Sequence, residues 1–205
     1  MDIEIGWIDH EVAAEFPDLR LHHITLDARA RVSPPELQGQ LADLSTRFRG
    51  RQALELPRKP IPSAYRAFFR QVGLDPDVDR NPAEAVSFDR ILRGRFVSRD
   101  HLSDALTAAV IETHIALGLI DADAVNGPLG IRPVRATDTT DIPVGVLAIA
   151  DADQAVAPLF GPTFSTFAPT YRTRRVAVTA IGVAGVEDWM VGHGLWRVAD
   201  LLGAL

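Results

Sequence analysis

The apolar residues of this chain change their period partway along it, and that change limits what the chain can fold into. Up to about residue 117 they recur at helical spacing, with Leu102, Leu106, Ala109, Val110 and Leu117 on one side of a helix. After Gly118 the spacing becomes two. The segments LGIRPV (129–134), VGVLAIA (144–150), AVAPLF (155–160) and RRVAVTAIGVAG (174–185) read as strands. Two further strands precede the helices, DIEIGWID (2–9) and HHITL (22–26). Helices gathered in the middle, with strands before and after, predict an α+β fold in which helices pack on a β-sandwich or mixed sheet. A chain of 205 residues can bury one good core. The expected organisation is one compact domain, with strands and a helix in residues 1–62, a core over 63–183 and a closing helix in 184–205.

Local signals set the expected boundaries. Ser33, Pro34 and Glu36 have the spacing of a capping box with proline at the first helical position, which predicts a helix over 34–48. PRKPIP (57–62) holds three prolines in six residues and reads as a linker or loop. A helix follows from about Ser63 to Val72, ended by Gly73. Asn81, Pro82 and Glu84 repeat the capping logic for a helix running to Leu92, before Gly94. The next helix is expected from Asp100 to Leu117, stopped by Gly118, and an amphipathic helix from Glu187 to Leu202.

Composition excludes several chemistries. The chain is 47% hydrophobic and 23% charged, as a folded protein should be. It has no cysteine, so disulfides, thiolate nucleophiles and cysteine–zinc sites are ruled out. No apolar run approaches the roughly 18 residues of a membrane span, and the acidic, alternating MDIEIGWIDHE is unlike a signal peptide. A cytoplasmic protein with no membrane partner is expected.

The net charge of −6 means the surface as a whole does not attract nucleic acid. Its distribution is uneven, however. From Arg47 to Arg70 there are seven basic residues (Arg47, Arg49, Arg51, Arg58, Lys59, Arg66, Arg70) and one acid, Glu55; Arg90, Arg93, Arg95 and Arg99 follow. This stretch is either a phosphate-binding face or an ordinary solvated one.

In HIALGLIDADAVNGPLGIR (114–132), Asp121 and Asp123 fit the start of a calcium loop. The next ligand position is Val125, and Arg132 stands where the closing carboxylate belongs. Asp121 therefore reads as a turn or cap residue, and Asn126–Gly127 as the turn into a strand. The six histidines do not fall at chelating spacing, so neither a metal nor a cofactor is expected. Nucleophile elbows and phosphate-cradling glycine loops are absent. FGPTFSTFAPTYRT (160–173) suits either a pocket lining or a plain turn with core phenylalanines.

Several segments taken in order resemble the B3/B4 domain, the tRNA-binding and editing module of the phenylalanyl-tRNA synthetase β subunit, which also occurs as free-standing proteins. They are AYRAFFRQVGLDP (64–76), NPAEAVSFDRILRG (81–94), VSRDHLSDALTAAVIETHIALGLIDADAVNGPLGIRPV (97–134), VLAIADADQAVAPLFG (146–161) and TRRVAVTAIGV (173–183). The resemblance implies an aminoacyl pocket beside the passage from helix to sheet. It would be bounded by the turn at Ser98 to His101, the helix through Asp104 to His114 and the turn at Gly161 to Thr166.

On this basis Ser98, Asp100, Asp104, Glu112, Arg132, Gly161, Thr163 and Ser165 are the expected substrate-binding residues. His101 and His114 are the candidate bases, and Arg58, Arg66 and Arg93 the candidate RNA contacts. The chain also departs from the family's pattern. Asp100 and His101 stand where asparagines are usual, Gly118 stands where the synthetase module has a histidine, and GPTFSTFAP has no acid. The implied partner is tRNA or aminoacyl-tRNA, and the implied activity is deacylation of mischarged tRNA. The alternatives are a non-catalytic RNA or small-molecule binding module and a structural partner docking through its C-terminal helix.

Overall fold

A computed structural model describes residues 2–204. In chain order the elements are β1 (Glu4–Ile5), β2 (Trp7–Ile8), α1 (His10–Glu15), β3 (Arg20–Asp27), α2 (Pro35–Arg47), α3 (Gly50–Glu55), a short 3-10 turn (Leu56–Arg58), α4 (Pro60–Gln71), α5 (Pro82–Arg93), α6 (His101–Thr113), β4 (Ala116–Asp121), β5 (Gly130–Pro133), β6 (Leu147–Ala150), β7 (Ala155–Pro158), β8 (Arg175–Gly182) and α7 (Asp188–Leu202). The fold is α+β, with two four-stranded sheets. The first has the order β1-β3-β8-β4 and is antiparallel throughout. The second has the order β2-β5-β6-β7 and is mixed, because β2 and β5 run parallel.

The sheets share one apolar core. Thr179 and Ile181 of β8 face Ile149 and Ala157 of the second sheet across a small chamber. The opposite face of β8 meets α7, where a Cβ on Gly182 would stand 3.4 Å from Val191. Val191, Leu195, Val198 and Leu202 of α7 are buried there, so this helix closes the protein's own core. Tyr65 of α4 locks the edge of the first sheet. Its hydroxyl donates to Ile181 O at 2.6 Å and accepts from Ala116 N at 3.1 Å, and complete burial raises its pKa.

Four local expectations are corrected. The N-terminal strand is two short strands in different sheets. The chain crosses between them at Gly6, where a Cβ would meet Leu129 O and Leu21 Cδ2 at 2.8 Å. Ser33 does not cap α2, because its hydroxyl is drawn to Asp104 Oδ2 at 2.5 Å and Pro34 takes the N-cap position. PRKPIP is not a linker. Pro57 lies in the 3-10 turn, and Pro60 and Pro62 fill the first turn of α4, where the missing N–H groups would have had no helical acceptor anyway. Finally, α6 ends at Thr113, and His114 takes a left-handed backbone with φ 62°. Leu117 and Gly118 therefore lie in β4, in a different element from the helix that their spacing extended.

Candidate functional site

One face of α6 and the start of β4 border an apolar concavity. α5 and α6 both pack on β4, the edge strand of the first sheet, and the turn after β7 borders the same space. The result is a cleft of about 570 Å³, within the usual range for small-molecule sites. Val86, Leu106, Val110 and Leu117 form its apolar wall. Ser103 and Thr107, one helical turn apart on α6, supply hydroxyls, and Thr163 adds a third from the turn. Arg99 and Asp100 stand at the rim.

The floor continues inward past Gly118 and Gly161 to the chamber between the sheets, about 30 Å³ in volume and bordered by Thr163 and Thr179. That is room for a water or a small group. Gly118 keeps the passage open, since a Cβ there would stand 2.8 Å from Thr179 Oγ1.

Of the residues expected to bind substrate, Asp100, Gly161 and Thr163 border this cleft. Asp100 is already engaged as the N-cap of α6. Its carboxylate accepts from Leu102 N and Ser103 N at 3.0 and 3.1 Å and from the Ser103 hydroxyl at 2.6 Å. The Thr163 hydroxyl donates to Leu119 O at 2.7 Å, which ties the turn to β4.

The other expected residues lie elsewhere. Asp104 is buried, where its carboxylate accepts from the Ser33 and Ser98 hydroxyls at 2.5 Å each and from Arg99 N at 2.9 Å. Ser98 is thereby part of a structural knot. Glu112 joins three helices, accepting from Gln40 Nε2 of α2 and Arg197 Nε of α7 at 2.7 Å each. Arg132 is fully buried on the outer face of the second sheet. It donates to both Asp138 oxygens at 2.6 and 2.7 Å and so fastens the 134–146 loop. The Arg132 guanidinium holds the Asp138 carboxyl down at about 2. Ser165 is exposed and off the cleft.

Both candidate bases also lie off the cleft. His101 is buried, and both its ring nitrogens are occupied. Arg31 Nε donates to Nδ1 at 3.1 Å, which leaves Nε2–H to face Leu201 O at 3.2 Å. His101 points this way because the first residue of α6 packs toward the C-terminal helix. His114 caps the far end of α6, with Nε2 3.3 Å from Lys59 Nζ. Burial, helped by the Lys59 charge, pushes its pKa down to about 4. Position 114 was read as part of a continuing helix, and the left-handed turn takes the imidazole away from the cleft.

The basic stretch does not form one free face. Arg66 is taken by Asp77 and by Pro76 O at 2.9 Å, both in the α4–α5 connection, and by Glu84 in the first turn of α5 at 3.2 Å. Arg93 pairs with Asp89 at 2.6 Å, and Arg51 with Glu55 at 2.8 Å. Arg58 is exposed. Asp121 and Asp123 of the 114–132 segment are held by structural partners. Asp121 accepts from Asp123 N and the Thr173 hydroxyl, and Asp123 pairs with Arg175 at 3.4 Å. Among the described residues no three histidine or carboxylate side chains gather as a metal site would require, and no helix is long and apolar enough to cross a membrane.

Sequence reasoning missed Ser103 and Thr107. Their four-residue spacing beside Leu106 and Val110 was a usable signal, because it places hydroxyls next to an apolar stripe on one helix. Gly118 and Thr179 carried no such signal, since their meeting depends on the β4–β8 register.

Fold and cleft together define an α+β domain with an apolar, hydroxyl-lined cleft at a sheet edge. No protein-family model matches the chain, and no curated protein matches it significantly.

Proposed function

We propose that this chain is a B3/B4-type protein that binds aminoacyl-tRNA, seating the aminoacyl end in the cleft between α5, α6 and β4. One observation carries the reading. An apolar cleft lined by Ser103, Thr107 and Thr163 opens where α6, the Gly118 edge strand and the Gly161 turn converge. Those are the segments in which the sequence resembles that module. An apolar wall suits an amino acid side chain, and hydroxyls and exposed backbone suit the ester and ribose.

Binding is the primary role in this reading. The histidines at 101 and 114 lie off the cleft, and the Asp100 carboxylate is saturated by its own helix. An aminoacyl ester is already activated. Any deacylation would rest on a water oriented by the hydroxyls, the backbone and the substrate, without a side-chain base. The same absence of a histidine favours the second reading, a non-catalytic module for RNA or a small molecule.

A panel of mischarged tRNAs, assayed for deacylation beside filter binding of charged and uncharged tRNA, tests the proposal. Charged tRNA should bind more tightly than uncharged, and Thr107→Trp, which fills the cleft, should abolish the difference. Where deacylation occurs, His114→Asn should leave its rate within about threefold, against the roughly 10²–10⁴-fold loss expected of a general base. Equal binding of charged and uncharged tRNA would overturn the role given to the cleft.

A further inference from the structure

A second concavity, separate from the cleft, lies between α2, the end of α5 and the loop at 94–98. It is an open groove of about 670 Å³. Arg49, Arg90 and Arg95 line it together with Ser45, Thr46 and Gln38, and no carboxylate does. Within the basic stretch, Arg51, Arg66 and Arg93 are neutralised by the pairs described above. Among the described residues, Arg49, Arg90 and Arg95 take part in no ion pair. The groove thus gathers three arginines of the stretch that have no acidic partner around one concavity.

The guanidinium groups are partly positioned. Arg49 Nε donates to Thr46 O at 2.9 Å, which leaves its two Nη groups available. Arg90 Nη2 donates to Ser45 O, in the last turn of α2, at 2.7 Å. Arg90 Nε is shielded from solvent and has no partner, which is a costly state for a donor. Arg95 is exposed. Several unpaired guanidinium forks without a nearby acid match the charge and oxygen geometry of phosphate, which carries more charge than a single carboxylate.

We propose that this groove binds phosphate groups, presented by an RNA strand or by a free phosphate ester. The RNA form rests on the tRNA-binding reading above, and the free-ester form does not. Groove and cleft adjoin in the chain, since Ser98 borders one and Arg99 the other.

The test uses the full chain, with Arg95→Glu, the Arg49→Glu/Arg95→Glu double variant and, as a control outside the groove and the basic stretch, Arg172→Glu, whose side chain is exposed. Uncharged tRNA is titrated by filter binding from 50 to 200 mM salt, roughly the range over which phosphate contacts dominate, and pyrophosphate by calorimetry. Thermal melting checks that each variant is folded. Arg95→Glu alone suffices if the double variant fails to fold, because its side chain is exposed. The double variant should lower the slope of log affinity against log salt by about 1.4 to 1.8, at ~0.7–0.9 per phosphate contact. Arg95→Glu should lower it by about half as much, and Arg172→Glu should leave it nearly unchanged.

Wild-type tRNA binding whose slope survives the double substitution would overturn the groove while leaving the tRNA reading intact. Pyrophosphate binding that the double variant abolishes, with no tRNA binding by the wild type, would support the groove in its free-ester form and remove the tRNA reading. Absence of both kinds of binding would overturn the groove.

Discussion

Asp104 gathers the N-terminal segment onto α6 with a single side chain. Its carboxylate takes two hydroxyl donors and one backbone donor, from Ser33, Ser98 and Arg99, in a buried setting. Hydrogen bonds to a charged group contribute about 1.5–3 kcal/mol each, and orphaned buried donors add a penalty. Asp104→Ala should therefore cost about 3 kcal/mol or more in urea unfolding, and Ser98→Ala about 1 kcal/mol. A loss below 1 kcal/mol for Asp104→Ala would show that the knot is not a structural anchor.

The Arg132–Asp138 pair should be visible in acid. The Asp138 pKa lies at about 2 in the folded protein, below its ordinary 3.8. A depressed carboxyl stabilises above the unfolded value, and that stability disappears as pH falls through the folded one. Arg132→Met should weaken the protein by about 3–5 kcal/mol at neutral pH, as removal of one member of a buried pair does. It should also flatten the acid limb between about pH 4 and 2.

His114 gives acid sensitivity of the same sign at higher pH, although here it is the neutral form that the fold prefers. With a pKa of about 4 against an ordinary 6.5, the unfolded chain binds the extra proton first. Stability should fall as pH drops from about 6.5 to 4. His114→Asn, which tolerates the left-handed backbone, should remove that slope.

At the level of elements, the second sheet depends on a close approach that only glycine permits. A Cβ on Gly130 would sit inside the ring of Trp7, the residue that pairs with it in the parallel β2–β5 ladder. The indole N–H also donates to Pro128 O at 3.0 Å. Gly130→Ala should cost roughly 1–3 kcal/mol or more from overpacking. In combination with Trp7→Ala the penalty should shrink, because the clash and its partner vanish together. Additive losses in that double-mutant cycle would show that the contact does not set the register.

The helices were easier to read where they carry their own signals. Asn81 accepts from Glu84 N at 3.1 Å, and Gly94 ends α5 with φ 75°, as their positions suggested. Ser33 carried the same kind of signal and was misread, because a distant carboxylate on α6 competes for its hydroxyl. Prolines 57, 60 and 62 were misread for a related reason. Proline spacing alone does not distinguish a linker from successive helix starts.

Across the whole molecule, one apolar cluster runs from Val12 and Leu19 near the N-terminus to Leu202, and takes in both sheets and α7. Unfolding should therefore be a single cooperative transition, with far-ultraviolet dichroism and tryptophan fluorescence changing together. Two separated transitions would divide the chain in a way this core does not.

The sequence by itself determined the α+β class, the helical middle, the later strands and the closing helix, because those depend on periodicity and local caps. The tertiary structure alone decided which polar groups are free to act. The folded contacts placed His101 between Arg31 and Leu201, took Arg66 and Arg93 into ion pairs, and joined Ser103, Thr107 and Thr163 around a cleft floored by Gly118. The reason is physical. Backbone preference and hydrophobic period act over a few residues, whereas the engagement of a hydroxyl, imidazole or guanidinium depends on partners that are distant in the chain.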